Sequence, residues 1–231
     1  MPLYAIGDVH GCARTLDALL ARLGADAGRP LDARDTLVFV GDYVDRGPDS
    51  PGVIDRCLRL EAASNDGTGP RCVFLRGNHD QMMLDYADGV GDVDLWWANG
   101  GRTTLSSYEA RGDWPLPAAH LDFLRRTPLV HEEAGFAFVH AGFDPSRPVA
   151  ASLANPDPDI VLWTRAHLGA DLSAWEMPVV CGHTPVEVPI DLPKLIDVDT
   201  GAVFVTRAGF GRLTAVALPE RRFLAVETVE E

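Results

Sequence analysis

The chain has 231 residues, 46% hydrophobic and 23% charged, with 34 acidic against 20 basic side chains and a formal net charge of −14. That length and composition fit one soluble globular domain over 1–231, with enough apolar residues for a full core. The acidic balance argues against nucleic acid or an anionic membrane as partner, and no uncharged apolar run approaches the roughly 18 residues of a membrane-spanning helix.

In chain order, the N-terminus enters Leu3-Tyr4-Ala5-Ile6 directly, with no basic and apolar segments of a secretory leader. That run reads as a strand, and Leu16, Leu19, Leu20 and Leu23 then recur on one helix face. A second strand covers 37–40, and Ser50-Pro51 reads as an N-cap with proline at the first helical position, opening a helix to about Leu60. A third strand at 73–75 precedes a helix over Gln81 to Tyr86. Strands alternating with helices predict parallel pairing. The segment 92–127, with Trp96, Trp97, Leu105, Tyr108, Leu121, Phe123 and Leu124, reads as helices. Strands are expected at 129–133, 136–140, 178–181, 186–190, 195–198, 202–206, 213–218 and 222–228, with a hairpin turn at Pro219-Glu220-Arg221-Arg222. The Pro-rich stretches 112–119 and 144–158 read as loops, the second long enough to be functional.

Five apolar runs end in turns rich in Gly, His, Asp and Asn: GDVHG at 7–11, GDYVDRG at 41–47, GNHD at 77–80, HAG at 140–142 and GH at 182–183. An open α/β sheet places its ligands just outside such strand ends. Asp8 and His10 are two residues apart and can chelate one ion from one side of the chain. Asp42 has two carboxylate oxygens and can bridge two ions. Asn78 offers an amide oxygen, and His140 and His183 offer imidazole nitrogens. These six ligands suffice for two divalent ions. Oxygen and nitrogen donors without thiolate suit Mn, with Fe or Zn compatible. Two ions about 3.5–4 Å apart can activate a bridging water and clamp a phosphate. The preceding glycines are expected to turn off the strand with positive φ.

Four cysteines (Cys12, Cys57, Cys72 and Cys181) lack CxxC spacing and read as buried reduced thiols of a cytoplasmic protein. Lys194 is the single lysine, so phosphate contacts must come almost entirely from arginine.

Together GDVHG, GDYVDRG, GNHD, HAG and GHT resemble the signature set of the phosphoprotein phosphatase branch of the calcineurin-like metallophosphoesterases. The nearest likeness is to small bacterial and phage Ser/Thr phosphatases of the lambda type, and it runs from Gly7 to about Leu218. It takes in Trp96-Ala98-Asn99-Gly100-Gly101, Leu162-Trp163-Thr164-Arg165 and Asp199-Thr200-Gly201. The resemblance implies an α/β fold, a β-sandwich of mixed sheets flanked by α-helices. It implies that Asp8, His10 and Asp42 hold one ion, and that Asp42, Asn78, His140 and His183 hold the other. It makes His79 the general acid, oriented by Asp45, and puts Arg46, Arg76, Asn78 and Arg165 on the substrate phosphate. A serine alkoxide is a poor leaving group, so a proton donor such as His79 paired with Asp45 fits that chemistry.

The implied activity is metal-dependent phosphomonoester hydrolysis by direct attack of a metal-bridging hydroxide, with phosphoserine or phosphothreonine proteins as substrates. The alternative is symmetrical diadenosine tetraphosphatase or other nucleotide activity. Asp45 and Thr184-Pro185 favour the first, and Asp80 in GNHD favours the second. A metal-dead binding module is the non-enzyme alternative, and the complete ligand set argues against it. Asp80 itself reads as a helix N-terminal carboxylate. Trp96 and Trp97 read as core, Cys12 as buried packing, and His120, His131 and His167 as surface or packing histidines.

Overall fold

The computed structural model describes residues 2–230. Its architecture follows from strands whose side chains alternate between two cores. In β1 (Leu3–Ile6), Leu3 and Ala5 pack with Val38, Val40, Phe138, Val180 and Ile196, while Tyr4 and Ile6 pack with Leu16, Leu19 and Leu37. Because both faces of β1 and β2 (Thr36–Phe39) are buried, their sequences run apolar without polar alternation.

Two five-stranded sheets result. The first has the order β10-β9-β1-β2-β3, with β3 at Arg71–Phe74, β9 at Arg212–Leu218 and β10 at Arg222–Glu227. The second has the order β4-β5-β6-β8-β7, from β4 (Val130–Glu133), β5 (Phe136–Val139), β6 (Val179–Cys181), β7 (Ile190–Leu192) and β8 (Leu195–Asp197). Strands β1, β2 and β3 are parallel, as are β5, β6 and β8, while β4, β7, β9 and β10 pair antiparallel with their neighbours. One apolar cluster fills the space between the sheets. A second packs the first sheet against helices α1 (Ala13–Asp26) and α2 (Ser50–Asn65), and a third covers the second sheet with Phe143, Val149, Val161 and Trp175. This is the expected mixed-sheet α/β sandwich.

The remaining helices are α3 (Asn78–Ala87), α4 (Val93–Trp96), α5 (Arg102–Arg111), α6 (Ala118–Arg126), α7 (Val149–Ala154) and α8 (Pro158–Val161). A π-helical turn, Trp97–Gly101, joins α4 to α5. Four local expectations change. Asp49, whose side chain accepts from the Gly52 amide, caps α2, and Ser50 is already helical. The expected strand at 202–206 is a series of turns, and that at 186–190 reaches strand conformation only at Ile190. Helix α7 lies inside the stretch read as the 144–158 loop. No described helix is long and apolar enough to cross a membrane, and all four cysteines are free.

Candidate active site

The parallel strands deliver their C-terminal turns to one place. Asp8 follows β1, Asp42 follows β2, Asn78 opens α3 after β3, His140 follows β5 and His183 follows β6. All six expected ligands are buried. The turns are strained: His10, Asp42, Asp45, Arg46 and His183 are non-glycine residues at φ 44°, 54°, 72°, 67° and 69°. Each such residue costs on the order of 1–3 kcal/mol, and such outliers concentrate at functional sites. The glycines therefore serve differently from expectation. Gly41 does sit at φ 110°, but Gly77 is at −95°. A Cβ at Gly77 would collide with the Asp42 carboxylate, and one at Gly182 with Asp8 Oδ1. Close approach, with positive φ moved onto the ligand itself, is what these turns require.

The donor atoms converge. His140 Nε2 lies 2.8 Å from Asn78 Oδ1, and His183 Nδ1 lies 3.0 Å from that oxygen and 3.2 Å from His140 Nε2. Adjacent ligands of an ion with bonds of about 2.1 Å keep separations of about 3 Å, so this triangle has ligand spacing. Asp42 Oδ2 lies 3.4 Å from His10 Nε2 and 3.5 Å from His140 Nε2, between two groups of candidate ligands, where it could serve an ion on either side. The groups His10, Asp42, His79 and Asp42, His140, His183 each keep one ligand atom per residue within 4.8 Å of the others.

Neighbouring groups hold the imidazoles in ligand form. His10 Nδ1 donates to Val44 O at 2.8 Å and His140 Nδ1 to Val40 O at 2.9 Å, which leaves each Nε2 lone pair facing the cluster. Burial pushes His10 and His140 down from the usual histidine range, and burial with the neighbouring His140 takes His183 to about 3. All three are thus neutral donors.

The carboxylates show the opposite need. Asp8 takes the His183 amide on Oδ2 at 3.0 Å, while its buried Oδ1 has no partner. Burial, then Asp199 and Asp42, push Asp8 well above the usual carboxylate range. Burial also raises Asp42, but His140, His79, His10 and His183 hold it below that range. Burial lifts Asp199 to about 7, with Asp42 adding to the effect. A buried acidic set with an orphaned oxygen, beside neutral imidazoles, is a fitting receptor for divalent cations. Two such ions would be held by Asp8, His10, Asp42, Asn78, His140 and His183, and when bound they supply Lewis-acid charge for a phosphate and acidify water.

His79 Nδ1 is 2.7 Å from Asp45 Oδ2, a buried pair at the edge of the cluster. Asp45 is also held by Trp96 Nε1 at 2.8 Å and by Thr104 Oγ1 at 2.7 Å. Trp96 lies in the core, as its sequence reads, and also supports the site, and Thr104, which carries no motif, joins it there. Asp80 likewise does more than sit at a helix start. Its carboxylate accepts from the Asp42, Tyr43 and Gly77 amides at 2.9 Å each, tying the second turn to the third. Burial, then Asp42, lift it to about 7.

The arginines divide. Arg46 donates to His10 Nε2 at 2.7 Å and lies 5.6 Å over the Phe204 ring, a fixed positive charge at the ligand set. Arg165 Nε donates to Thr184 Oγ1 at 3.2 Å, beside His183 on the exposed rim. Arg76 is not brought to the cluster. Its guanidinium is bound by Thr127 Oγ1, Gln81 Oε1 and the carbonyls of Leu124, Arg125 and Thr127, so it anchors the end of α6. Those C-terminal carbonyls lack helical partners and attract a cation, which explains why Arg76 turns there instead of toward a phosphate.

A dinuclear ligand set at the strand ends of a mixed-sheet sandwich defines a metallophosphoesterase. The calcineurin-like phosphoesterase profile matches residues 1–187, and the chain belongs to that family. Over 98% of its length it is 31% identical to a Geobacillus thermodenitrificans bis(5'-nucleosyl)-tetraphosphatase of the asymmetrical type, covering 94% of that protein. It is 33% identical to the Salmonella typhimurium serine/threonine-protein phosphatase 1, with 87% of each chain covered. A proposed diadenosine tetraphosphatase of known structure superposes with a TM-score of 0.69 at 25% identity, over 98% of this chain and 93% of that one.

Proposed function

We propose that the protein is a two-metal phosphohydrolase whose preferred substrate is a dinucleoside tetraphosphate. The near full-length likeness to a bis(5'-nucleosyl)-tetraphosphatase carries this reading, set on a cluster able to clamp a polyanion. It replaces phosphoprotein as the first substrate expected from the signature motifs. Mn is the preferred metal, because the donors are carboxylate, amide and imidazole. The ions and Arg46 and Arg165 neutralise phosphate charge in a chain of net charge −14. Free cysteines fit a cytoplasmic setting.

A second reading, phosphoserine or phosphothreonine hydrolysis, is favoured by the buried His79–Asp45 pair. A nucleotide leaving group departs without help, whereas a serine alkoxide needs a proton. The test is a side-by-side comparison of kcat/KM on diadenosine tetraphosphate and phosphoserine, phosphothreonine and phosphotyrosine peptides, with Mn present. The dinucleotide should lead by at least tenfold. A peptide that leads instead would reverse the assignment. Product analysis, two ADP or ATP plus AMP, fixes where the chain cuts.

A further inference from the structure

Nine large hydrophobic side chains are exposed among the described residues, and four of them, Val90, Val93, Leu95 and Trp163, line one recess. Exposed apolar side chains gathered around one recess make it a candidate ligand site. The recess holds about 120 Å³, with Trp96, Tyr86 and Met82 completing its apolar wall. Two of its walls are shared with the active site. The Trp163 ring meets that of the ligand His183 edge-on, 6.2 Å between centroids at 85°. Trp96 donates to Asp45, the partner of His79. A molecule in the recess is therefore next to both the metal ligands and the acid pair.

Two further lining residues, Asp85 and Asp92, set the chemistry of the occupant. Asp85 Oδ1 accepts from Gln81 Nε2, and Asp92 Oδ1 takes the Asp94 and Leu95 amides. A recess with carboxylates and no cation in its lining repels phosphate. It accepts a flat, uncharged group that carries hydrogen-bond donors.

We propose that this recess is the nucleobase subsite: an amino-bearing purine stacks on Trp163 and donates its exocyclic amine to Asp85 or Asp92, while its phosphates reach toward His183 and Arg165. The assignment rests on the nucleotide reading above and extends it to a defined base. Base stacking on an indole contributes roughly tenfold or more in affinity, and the amine separates adenine from hypoxanthine, which presents an oxygen there.

The experiment is calorimetric titration of the Mn-loaded protein with AMP, IMP and ribose 5-phosphate, alongside kinetics. AMP should bind at least tenfold tighter than ribose 5-phosphate and several-fold tighter than IMP. Trp163→Ala should erase the AMP advantage over ribose 5-phosphate, and Leu95→Ala, which leaves the neighbour of His183 in place, should reduce it. In Trp163→Ala the ratio of kcat/KM on diadenosine tetraphosphate to that on p-nitrophenyl phosphate should fall about tenfold. Equal affinities for AMP and ribose 5-phosphate would overturn the subsite even if the dinucleotide is hydrolysed, and equal affinity for IMP would overturn the carboxylate contact. Equal losses on both kinetic substrates would mean that Trp163 acts through His183, also against it. A selective loss on phosphopeptides, without any AMP preference, would give the recess to a peptide. A base-dependent AMP affinity in a protein that leaves the dinucleotide intact would uphold the subsite and overturn the tetraphosphatase reading alone.

Discussion

Trp96 Nε1 donates to Asp45 Oδ2 at 2.8 Å, on the same oxygen that lies 2.7 Å from His79 Nδ1. Thr104 occupies the other carboxylate oxygen at 2.7 Å. Burial holds Asp45 above the usual carboxylate range, although its bonds to His79, Thr104 and Trp96 work in the opposite direction. A carboxylate fixed by three donors fixes the ring it faces, so His79 is aimed by residues from α4 and α5 as well as by its own turn.

The first prediction concerns that aim. His79→Asn should lower kcat on a phosphoserine peptide by roughly 10²–10⁴, the usual contribution of a general acid. It should cost far less on p-nitrophenyl phosphate, whose leaving group hardly needs a proton. Trp96→Phe keeps the packing and removes one donor from Asp45, and it should show the same substrate pattern at about a tenth of the size or less. Uniform losses across leaving groups would show that the pair serves structure and not proton transfer.

The sandwich and its ligands were legible because both rest on local patterns. Uninterrupted apolar runs followed by Gly-Asp, Gly-Asn, Gly-His or, after β5, His140 directly mark buried strands and their ends, and the six residues expected as ligands are all buried there. What escaped depends on distant contacts. Nothing near Thr104 or Trp96 signals Asp45, 59 and 51 residues away in sequence. Arg76 stands two residues before Asn78, yet the carbonyls of α6, about fifty residues on, determine where it points. The 202–206 segment is apolar enough for a strand, but it pairs with no strand among the described residues and closes into turns, with Phe204 N donating to Gly201 O and Arg207 N to Phe204 O. Asp199 follows β8 in the Asp199-Thr200-Gly201 run, and that position was the available signal that it enters the acidic cluster.

The second prediction is about Asp42. Its Oδ2 lies between His10 and His140, and its Oδ1 accepts the His79 amide at 3.0 Å. Asp42→Asn keeps the amide contact and removes the charge from the bridge. Metal analysis after Mn loading should fall from about two ions per chain to one or fewer, with kcat down at least 10²-fold. Chelation should destabilise the wild-type protein strongly, since binding to the native state alone contributes stability, and should change the melting temperature of Asp42→Asn much less. Full two-ion occupancy in the variant would remove Asp42 as the bridge.

A third prediction comes from the C-terminal segment. Helix α1 starts three residues after His10, and the side chain of its N-cap Cys12 makes no capping bond to the helix. Glu230 Oε1 accepts the Thr15 amide at 2.8 Å instead, and Val229 N donates to Thr15 Oγ1 at 3.0 Å. A carboxylate from the far end of the chain thus satisfies an orphan amide where the helix dipole is positive. Glu230→Ala should cost about 1 kcal/mol in urea unfolding, with metal content unchanged. An unaltered midpoint would mean that water replaces the cap without loss.

The last prediction is a pH dependence centred on His167. This residue is 1% exposed, stacks on Trp175 at 6.0 Å, and leaves its buried Nδ1 without a partner. Burial takes it down from 6.5 to about 4. Between those values the unfolded chain binds a proton that the folded protein refuses, so unfolding free energy rises with pH there. His167 therefore costs no stability above pH 6.5, and the protein weakens as the pH falls toward 4. The slope is about 1.4 kcal/mol per pH unit, which makes the loss between pH 7 and pH 5 about 2 kcal/mol. His167→Phe removes the titrating group while keeping a ring beside Trp175. Urea midpoints at pH 7 and pH 5 should therefore separate further in the wild type than in the variant, by about that amount. Equal separations in the two proteins would show that His167 accepts its proton without leaving the core.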